Sequence, residues 1–230
     1  MRTEHQMPQF MKNHYTLEAV KVLENKKATL VFKRLFDICL SLILLVILSP
    51  VFLFLAICIK LEDGGPIFYR QQRITTYGRV FRIFKFRTMI LNADKMGPLV
   101  TQDNDSRITK IGKKIRDFRL DEIAQLINVL IGDMTFVGTR PEVQKYVDAY
   151  SEEMMVTLLL PAGITSRSSI EFRNEADKIS KWMEQGLTAD EAYIQKILPE
   201  KMRYNIDYIS ELSITQDIKV MLQTVFAVLR

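Results

Sequence analysis

Asp121 and Glu122 stand side by side among cations, with Arg116 and Arg119 just before them and Arg140 beyond the next apolar segment. A carboxylate beside phosphate-binding cations can attack a phosphorus and carry the phosphoryl group, or it can hold a hard divalent ion, usually Mg²⁺. An adjacent acidic pair suits both roles. Lys85 and Arg87 fall on one face of a candidate strand, so that with Arg116 and Arg140 they can clamp a diphosphate without a glycine-rich loop. Each residue also has a plainer use. Asp is a preferred N-cap, Glu a favoured first-turn residue, and a single surface Lys or Arg is usually only solvated. The two signs of charge gathered in one segment, IRDFRLDE from Ile115 to Glu122, are what point to chemistry.

Other catalytic repertoires are thin. The only histidines, His5 and His14, lie in a polar N-terminal stretch, which argues against a Ser-His-Asp triad, a Cys-His pair or a His-based zinc site. There is no Walker phosphate loop and no GxGxxG turn. Cys39 and Cys58 share one apolar run, the usual place for buried thiols in a reducing compartment rather than for a disulfide. Thirty-two Lys and Arg against 27 Asp and Glu give a net charge of +5, which favours anionic partners: phosphates, lipid headgroups or nucleic acid.

Positioning these residues falls to a helix, a hairpin and a helix-strand-turn unit. A hairpin is expected from Ile67 to Arg73 and Val80 to Arg87, following the Gly64-Gly65-Pro66 break. A polar loop from Asn92 to Asp105 leads to a basic helix near Ile108 to Asp117. Asp121 then opens a helix with apolar Ile123, Leu126, Ile127 and Leu130, and a helix start favours an ionised carboxylate. Gly132 ends it, Met134 to Val137 is a strand, and Gly138 to Pro141 turns the chain into a helix from Glu142 to about Thr157. Pro161 to Ser169 reads as a loop. Helices follow near Glu175 to Gln185, Ala189 to Ile197, Glu200 to Ser210 and Thr215 to Leu229.

From Ile38 to Ile59, 22 residues carry no charge, and about 20 apolar residues suffice to cross a bilayer core. This is a membrane segment, broken at its centre by Ser49-Pro50. Proline cannot donate to the carbonyl of Val46, so a sharp bend is expected there, leaving two halves of roughly 16 Å each. Lys26, Lys27, Lys33 and Arg34 precede the run, and Lys60, Arg70 and Arg73 follow it. Positive charge on both flanks suits a helix that dips in and returns to one face; an ordinary kinked spanning helix is the alternative. The stripe Ile218, Met221, Leu222, Val225, Phe226 and Leu229 on the last helix suits either a membrane interface or the protein's own core.

In combination and order, several segments resemble the monotopic bacterial phosphoglycosyl transferases, also called bacterial sugar transferases. They are KRLFD (Lys33 to Asp37), Ser49-Pro50, GPIFYRQQR (Gly65 to Arg73), FKFRTM (Phe84 to Met89), RxxxLDE (Arg116 to Glu122), LINVLIGDMTFVG (Leu126 to Gly138) and RPE (Arg140 to Glu142). The resemblance implies transfer of a sugar-1-phosphate from a UDP-sugar to polyprenol (undecaprenyl) phosphate, releasing UMP, as the first membrane step of glycan synthesis. It implies Asp121 as the nucleophile that forms a covalent phosphosugar, Glu122 with the Mg²⁺ site, Arg116 as a phosphate-binding residue, and a re-entrant helix bent at Ser49 and Pro50. The place of action would be the cytoplasmic face of the bacterial inner membrane. The expected fold is α/β and mainly helical: a polar arm (1–30), a re-entrant membrane helix (31–62) and a cytoplasmic catalytic domain (63–230) with a β-hairpin and amphipathic interfacial helices. Thr139 stands where the family commonly has proline, and Ser166 to Ser169 depart from its usual Gly-Trp-Ala-Gln.

Expected partners are the UDP-sugar, the polyprenol phosphate and membrane lipid, with downstream glycosyltransferases or self-association also open. The competing function is a non-catalytic, membrane-anchored basic module that holds anionic lipid or recruits glycan-assembly partners. Nucleic acid is not expected, because the basic-aromatic alternation of FRIFKFRTM is also that of a half-buried strand.

Overall fold

The computed structural model describes residues 7–93, 96 and 105–229. His5 and most of the polar loop from Asn92 to Asp105 lie outside them. Asn13 and Thr16 exchange side-chain-to-backbone bonds in a capping box that starts α1 (His14–Glu24). The polar arm is helical here and docked on the rest of the chain. Met7, Met11, Val20 and Leu23 join the main core, and Lys26 donates to the carbonyls of Ser210 and Leu212.

The apolar run forms α2 (Lys27–Ile47) and α3 (Ser49–Asp63), bent by 61°. Among the described residues no single helix is long and apolar enough to cross a membrane, but this bent pair passes together. Pro50 occupies the first turn of α3, where its missing N–H is harmless. The carbonyl of Val46, deprived of a donor by Pro50, accepts the Ser49 hydroxyl at 2.8 Å. α2 is also inside out. Its buried residues are Lys33, Asp37 and Ser41, spaced by four, whereas Val31, Phe32, Leu35, Leu42, Ile43, Val46 and Ile47 are exposed. Lys33 pairs with Asp217 at 2.5 Å, and Asp37 accepts from the Thr135 hydroxyl and Phe136 N–H. Cys39 and Cys58 are free thiols, as expected, but neither is buried: Cys39 is exposed and Cys58 half-buried.

The expected hairpin is present in two antiparallel ladders. β1 (Phe68–Tyr69) pairs with a strand at Lys85–Phe86, and β2 (Gln72–Thr75) pairs with β3 (Arg79–Arg82). β4 (Lys85–Phe86) follows β3 after a gap at Ile83 and Phe84. That gap is stitched from outside, because Phe84 N–H donates to the Asn128 side chain at 2.7 Å and the Asn128 amide donates to Arg82 O. α4 (Lys110–Asp117) is capped by Thr109. A 3-10 helix over Leu120–Ala124 precedes α5 (Gln125–Ile131), which ends at Gly132.

β5 (Met134–Val137) lies where expected. The helix expected from Glu142 to Thr157 is instead two pieces, α6 (Gln144–Val147) and a 3-10 helix over Met154–Leu159. The loop expected from Pro161 to Ser169 contains β6 (Ala162–Thr165), parallel to β5, and then α7 (Arg167–Glu171), capped by Ser166. Gly138 and Gly163 make this pairing possible: a Cβ on Gly163 would lie 2.3 Å from Gly138 backbone. α8 (Glu175–Met183), α9 (Ala189–Ala192), a π-helical turn over Tyr193–Ile197, α10 (Leu198–Glu211) and α11 (Ile214–Leu229) complete a mainly helical α/β domain with few strands. On α11, Asp217 and Val220 are buried and Met221 packs against the core, while Ile218, Leu222, Val225 and Phe226 are exposed, so these four residues of the stripe turn away from the protein's own core.

Candidate active site

A small apolar cluster of Leu55, Ile59, Phe86, Ile115 and Ala124 ties α3 to β4, α4 and the 3-10 helix that carries the acid pair. The site is therefore built where the bent helix pair meets the hairpin. The N-cap of that 3-10 helix is Arg119, in the left-handed region at φ 52°, and no side chain caps it. Asp121 thus does not serve as the N-cap that its type suggested. A left-handed non-glycine residue carries strain of order 1 kcal/mol, and such residues cluster at functional sites.

Asp121 and Glu122 diverge from this short helix. Asp121 opens into a hollow of about 350 Å³ lined by Arg70, Arg73, Lys85, Arg107 and Arg116. Glu122 opens into a larger chamber of about 700 Å³ whose walls include Leu44, Leu48, Phe118, Phe136 and Val225, with Arg140 and Lys201 among its polar residues. Lys85 bridges the two acids, 3.0 Å from Glu122 Oε1 and 4.0 Å from Asp121 Oδ2. Arg140 grips Glu122 with both terminal nitrogens, at 2.5 and 3.4 Å.

The two carboxyls consequently titrate in opposite directions. Burial pushes the Asp121 pKa up; Lys85 and Arg116 pull it down and Glu122 adds to the rise, leaving it raised. Burial also works to raise Glu122, but Arg140 and Lys85, through charge and hydrogen bonds, outweigh it and hold the carboxyl well below the usual range. Arg140 is correspondingly held as a cation, chiefly by Glu122.

Arg116 reaches the hollow from α4. Its Nε donates to the Thr88 hydroxyl at 2.8 Å, and one turn earlier Gly112 lets the helix press against Thr88, whose carbonyl would lie 2.1 Å from a Cβ there. Arg87 lies along the same hollow but goes elsewhere: both its terminal nitrogens bind Asp63, and Nε donates to Pro66 O at 2.7 Å. It clasps the end of α3 to the hairpin rather than joining Lys85 at the acids. Ser49 and Pro50 form the bend between α2 and α3, and Leu48 beside them reaches the chamber wall.

Sequence reading gave Arg70 and Arg73 a place only in the positive flank of the apolar run, and gave Arg107 no role. Arg70 stacks over the Phe84 ring at 3.4 Å, and Arg73 bonds Gln71 and Pro141 O. The strand pairing of Tyr69 with Lys85 was the available signal for Arg70, since it places the neighbouring residue beside the site. Arg107, clasped to Asp105, gave none.

Among the described residues no group of three or more His, Cys, Asp or Glu is placed to hold a metal. Mg²⁺ needs only one or two carboxylates when water and substrate phosphates supply the rest. Asp121 can offer one; Glu122 can offer the second only by exchanging contacts with Lys85 and Arg140. The donor set fits a metal that arrives with a diphosphate.

A bent helix pair that buries polar residues and exposes apolar ones stands beside a cation-lined acid pair, and the family model for bacterial sugar transferases matches residues 28–230. The chain belongs to that family. It is 34% identical over 200 residues to a UDP-N-acetylgalactosamine-undecaprenyl-phosphate N-acetylgalactosaminephosphotransferase of Aeromonas hydrophila, covering 86% of this chain and 43% of the relative. It is 34% identical over 199 residues to a UDP-glucose:undecaprenyl-phosphate glucose-1-phosphate transferase of Escherichia coli K12, covering 84% and 39%. A Caulobacter vibrioides protein of the latter name is 33% identical over 196 residues, covering 84% and 68%. The chain thus spans about two fifths of the length of the first two relatives. Their equal identities with different named sugars select no sugar for this chain.

Proposed function

We propose that this chain transfers a sugar-1-phosphate from a UDP-sugar to polyprenol phosphate, releasing UMP, through a covalent phosphosugar on Asp121. The observation that carries the proposal is the contrast within the acid pair. Glu122 is committed to Arg140 and Lys85, whereas Asp121 lies 4.0 Å from Lys85 at the edge of a cation-lined hollow. A desolvated carboxylate that is hard to ionise is reactive once ionised.

In the first step an Asp121 oxygen attacks the β-phosphorus, and the bond from that phosphorus to the bridging oxygen breaks. UMP leaves with that oxygen. In the second, a phosphate oxygen of the lipid attacks the same phosphorus and the Asp121 carboxylate is released. Lys85 and Arg116 stabilise the negative charge that gathers in the hollow. Mg²⁺, where bound, would offset charge on the departing UMP. The named substrates of the relatives, UDP-sugars and undecaprenyl phosphate, support this chemistry.

The same reading places the α2–α3 pair as a re-entrant element in the inner membrane, both ends cytoplasmic, with the exposed stripe of α11 in the interface. Burying a polar stripe while exposing an apolar one suits lipid as solvent. Single cysteines replacing Lys12 and Lys113, in a background lacking Cys39 and Cys58, should both resist an impermeant reagent outside intact cells. Labelling of residue 12 alone would establish a spanning helix.

The decisive assay incubates nanodisc-held protein with UDP-sugars and Mg²⁺. Without lipid acceptor it should release up to one equivalent of UMP and gain the mass of a sugar phosphate on Asp121; polyprenol phosphate should discharge the adduct. UMP released only when lipid is present, with no adduct trapped by rapid quench, would favour direct attack by the lipid phosphate. Retained function in Asp121→Asn would favour the non-catalytic module.

A further inference from the structure

Behind Arg140 lies a second group of buried charges that the proposed reaction does not use. Glu142 is 7% exposed, and its Oε1 accepts from the Tyr193 hydroxyl and, at 3.5 Å, from Lys201 Nζ. Lys201, 5% exposed, also donates to the Tyr193 hydroxyl at 2.8 Å and pairs with Glu175 at 2.8 Å. Fully desolvated ions are retained only where every partner is in place, because an unpaired buried charge is strongly destabilising. Here the partners come from three segments: the turn after β5, the start of α8, and the helix running from α9 into α10.

That helix is built for the contact. Residues eight apart on a regular α-helix lie roughly 80° apart around the axis, so Tyr193 and Lys201 would stand at opposite edges of one face. The π-helical turn over Tyr193–Ile197 takes up the offset, and Pro199, which has no N–H for the carbonyl of Gln195, sits just after it. The result brings Lys201 Nζ to 4.8 Å from the Tyr193 ring centroid.

The segment from Gly138 to Glu142 is held on both sides of Arg140. Gly138 N–H donates to Thr165 O at 3.0 Å and Gly163 N–H to Thr139 O at 2.8 Å. Beyond Arg140, Pro141 O accepts from Arg73 at 3.4 Å and Glu142 O from Ile74 N–H at 3.0 Å. The Glu142 side chain adds the anchor into the helical layer, and Arg140 alone in this segment reaches the acid pair.

We infer that Glu142, gripped by Tyr193 and Lys201, is a positioning residue that fixes the turn from which Arg140 reaches Glu122. The helical stretch from α8 to α10 thereby acts on the acid pair through the turn that carries Arg140. The inference rests on the proposed activity only for its kinetic arm.

Two readouts test it on the full chain in nanodiscs. The first is a double-mutant cycle for UMP release. Tyr193→Phe removes one hydroxyl and keeps the ring; it should lower kcat about tenfold with little change in KM, yet have almost no further effect in an Arg140→Lys background. Lys201→Met should behave alike, and Lys201→Arg should restore most of the rate. The second needs no activity: modification of Arg140 by phenylglyoxal, read by peptide mass, should quicken severalfold in Tyr193→Phe and Lys201→Met, while Arg79, paired with Asp133 outside the network, stays constant. Equal losses in both backgrounds, or an unchanged rate of Arg140 modification, overturn the inference. Wild-type protein that releases no UMP from any UDP-sugar overturns the proposed activity instead, and the modification rates still decide the positioning.

Discussion

Asp121 and Glu122 are neighbours in the chain, yet they border different cavities. On the Asp121 side five arginines and Lys85 stand among aromatic and aliphatic walls; on the Glu122 side the walls are mostly apolar, with the bend of the helix pair and α11 contributing. Glu122 is held by two cations that outweigh its burial; Asp121 is more desolvated than compensated. The difference shows how one short 3-10 turn can divide labour between identical functional groups. One carboxylate is held by two cations, and the other is the one that the proposed reaction uses.

The comparison can be broken most severely at Asp121. Asp121→Asn should reduce UMP release by about a thousandfold or more, since an amide is a poor nucleophile. Melting should shift little, because the group makes no close ion pair. Glu122→Gln should reduce the rate by about a hundredfold and destabilise the domain by about 1–2 kcal/mol, since it leaves Arg140 and Lys85 without their anion while solvent still screens both. If the two substitutions proved equal in rate and in melting, the division of labour would be wrong.

Gly112→Ala sharpens the Asp121 side alone. Pushing α4 off Thr88 should displace Arg116 and raise KM for the UDP-sugar about tenfold, leaving discharge of a preformed adduct by lipid nearly unchanged. Stopped assays of the two half-reactions would show it. The smallest effect is expected at the far edge of the Glu122 chamber. Val225→Glu with Phe226→Glu should weaken binding of the domain to anionic vesicles severalfold without lowering its melting temperature; loss of folding would mean that the stripe is core after all.

Much of this arrangement was legible where local chemistry is decisive. Gly64 to Pro66 announced the start of the hairpin, and Pro50 announced the bend, because glycine and proline act on their own backbone. The strand at Ala162–Thr165 was not legible, since its four residues show no alternation and become a strand only when Gly163 meets Gly138. Arg87 shares a face with Lys85 in the strand period, but a carboxylate on α3, 24 residues away in sequence, claims it. Arg119 was also opaque: its left-handed backbone moves the helix start and removes Asp121 from the capping position. The inward face of α2 was hidden because apolar residues surround its axis. Three of its polar residues, Lys33, Asp37 and Ser41, spaced by four, were the informative minority.

That inverted face bears on the order in which the protein can be made. Lys33 finds its counter-ion in Asp217, 184 residues later, and Asp37 its hydroxyl partner 98 residues later. A ribosome adding roughly 5–20 residues per second leaves the emerging helix about ten seconds or more with an ammonium group and no permanent partner for it. Until then water solvates that ammonium, and α2 cannot bury it without the cost of an unpaired charge. The ion pair that holds α2 in place therefore closes only after Asp217 has been made.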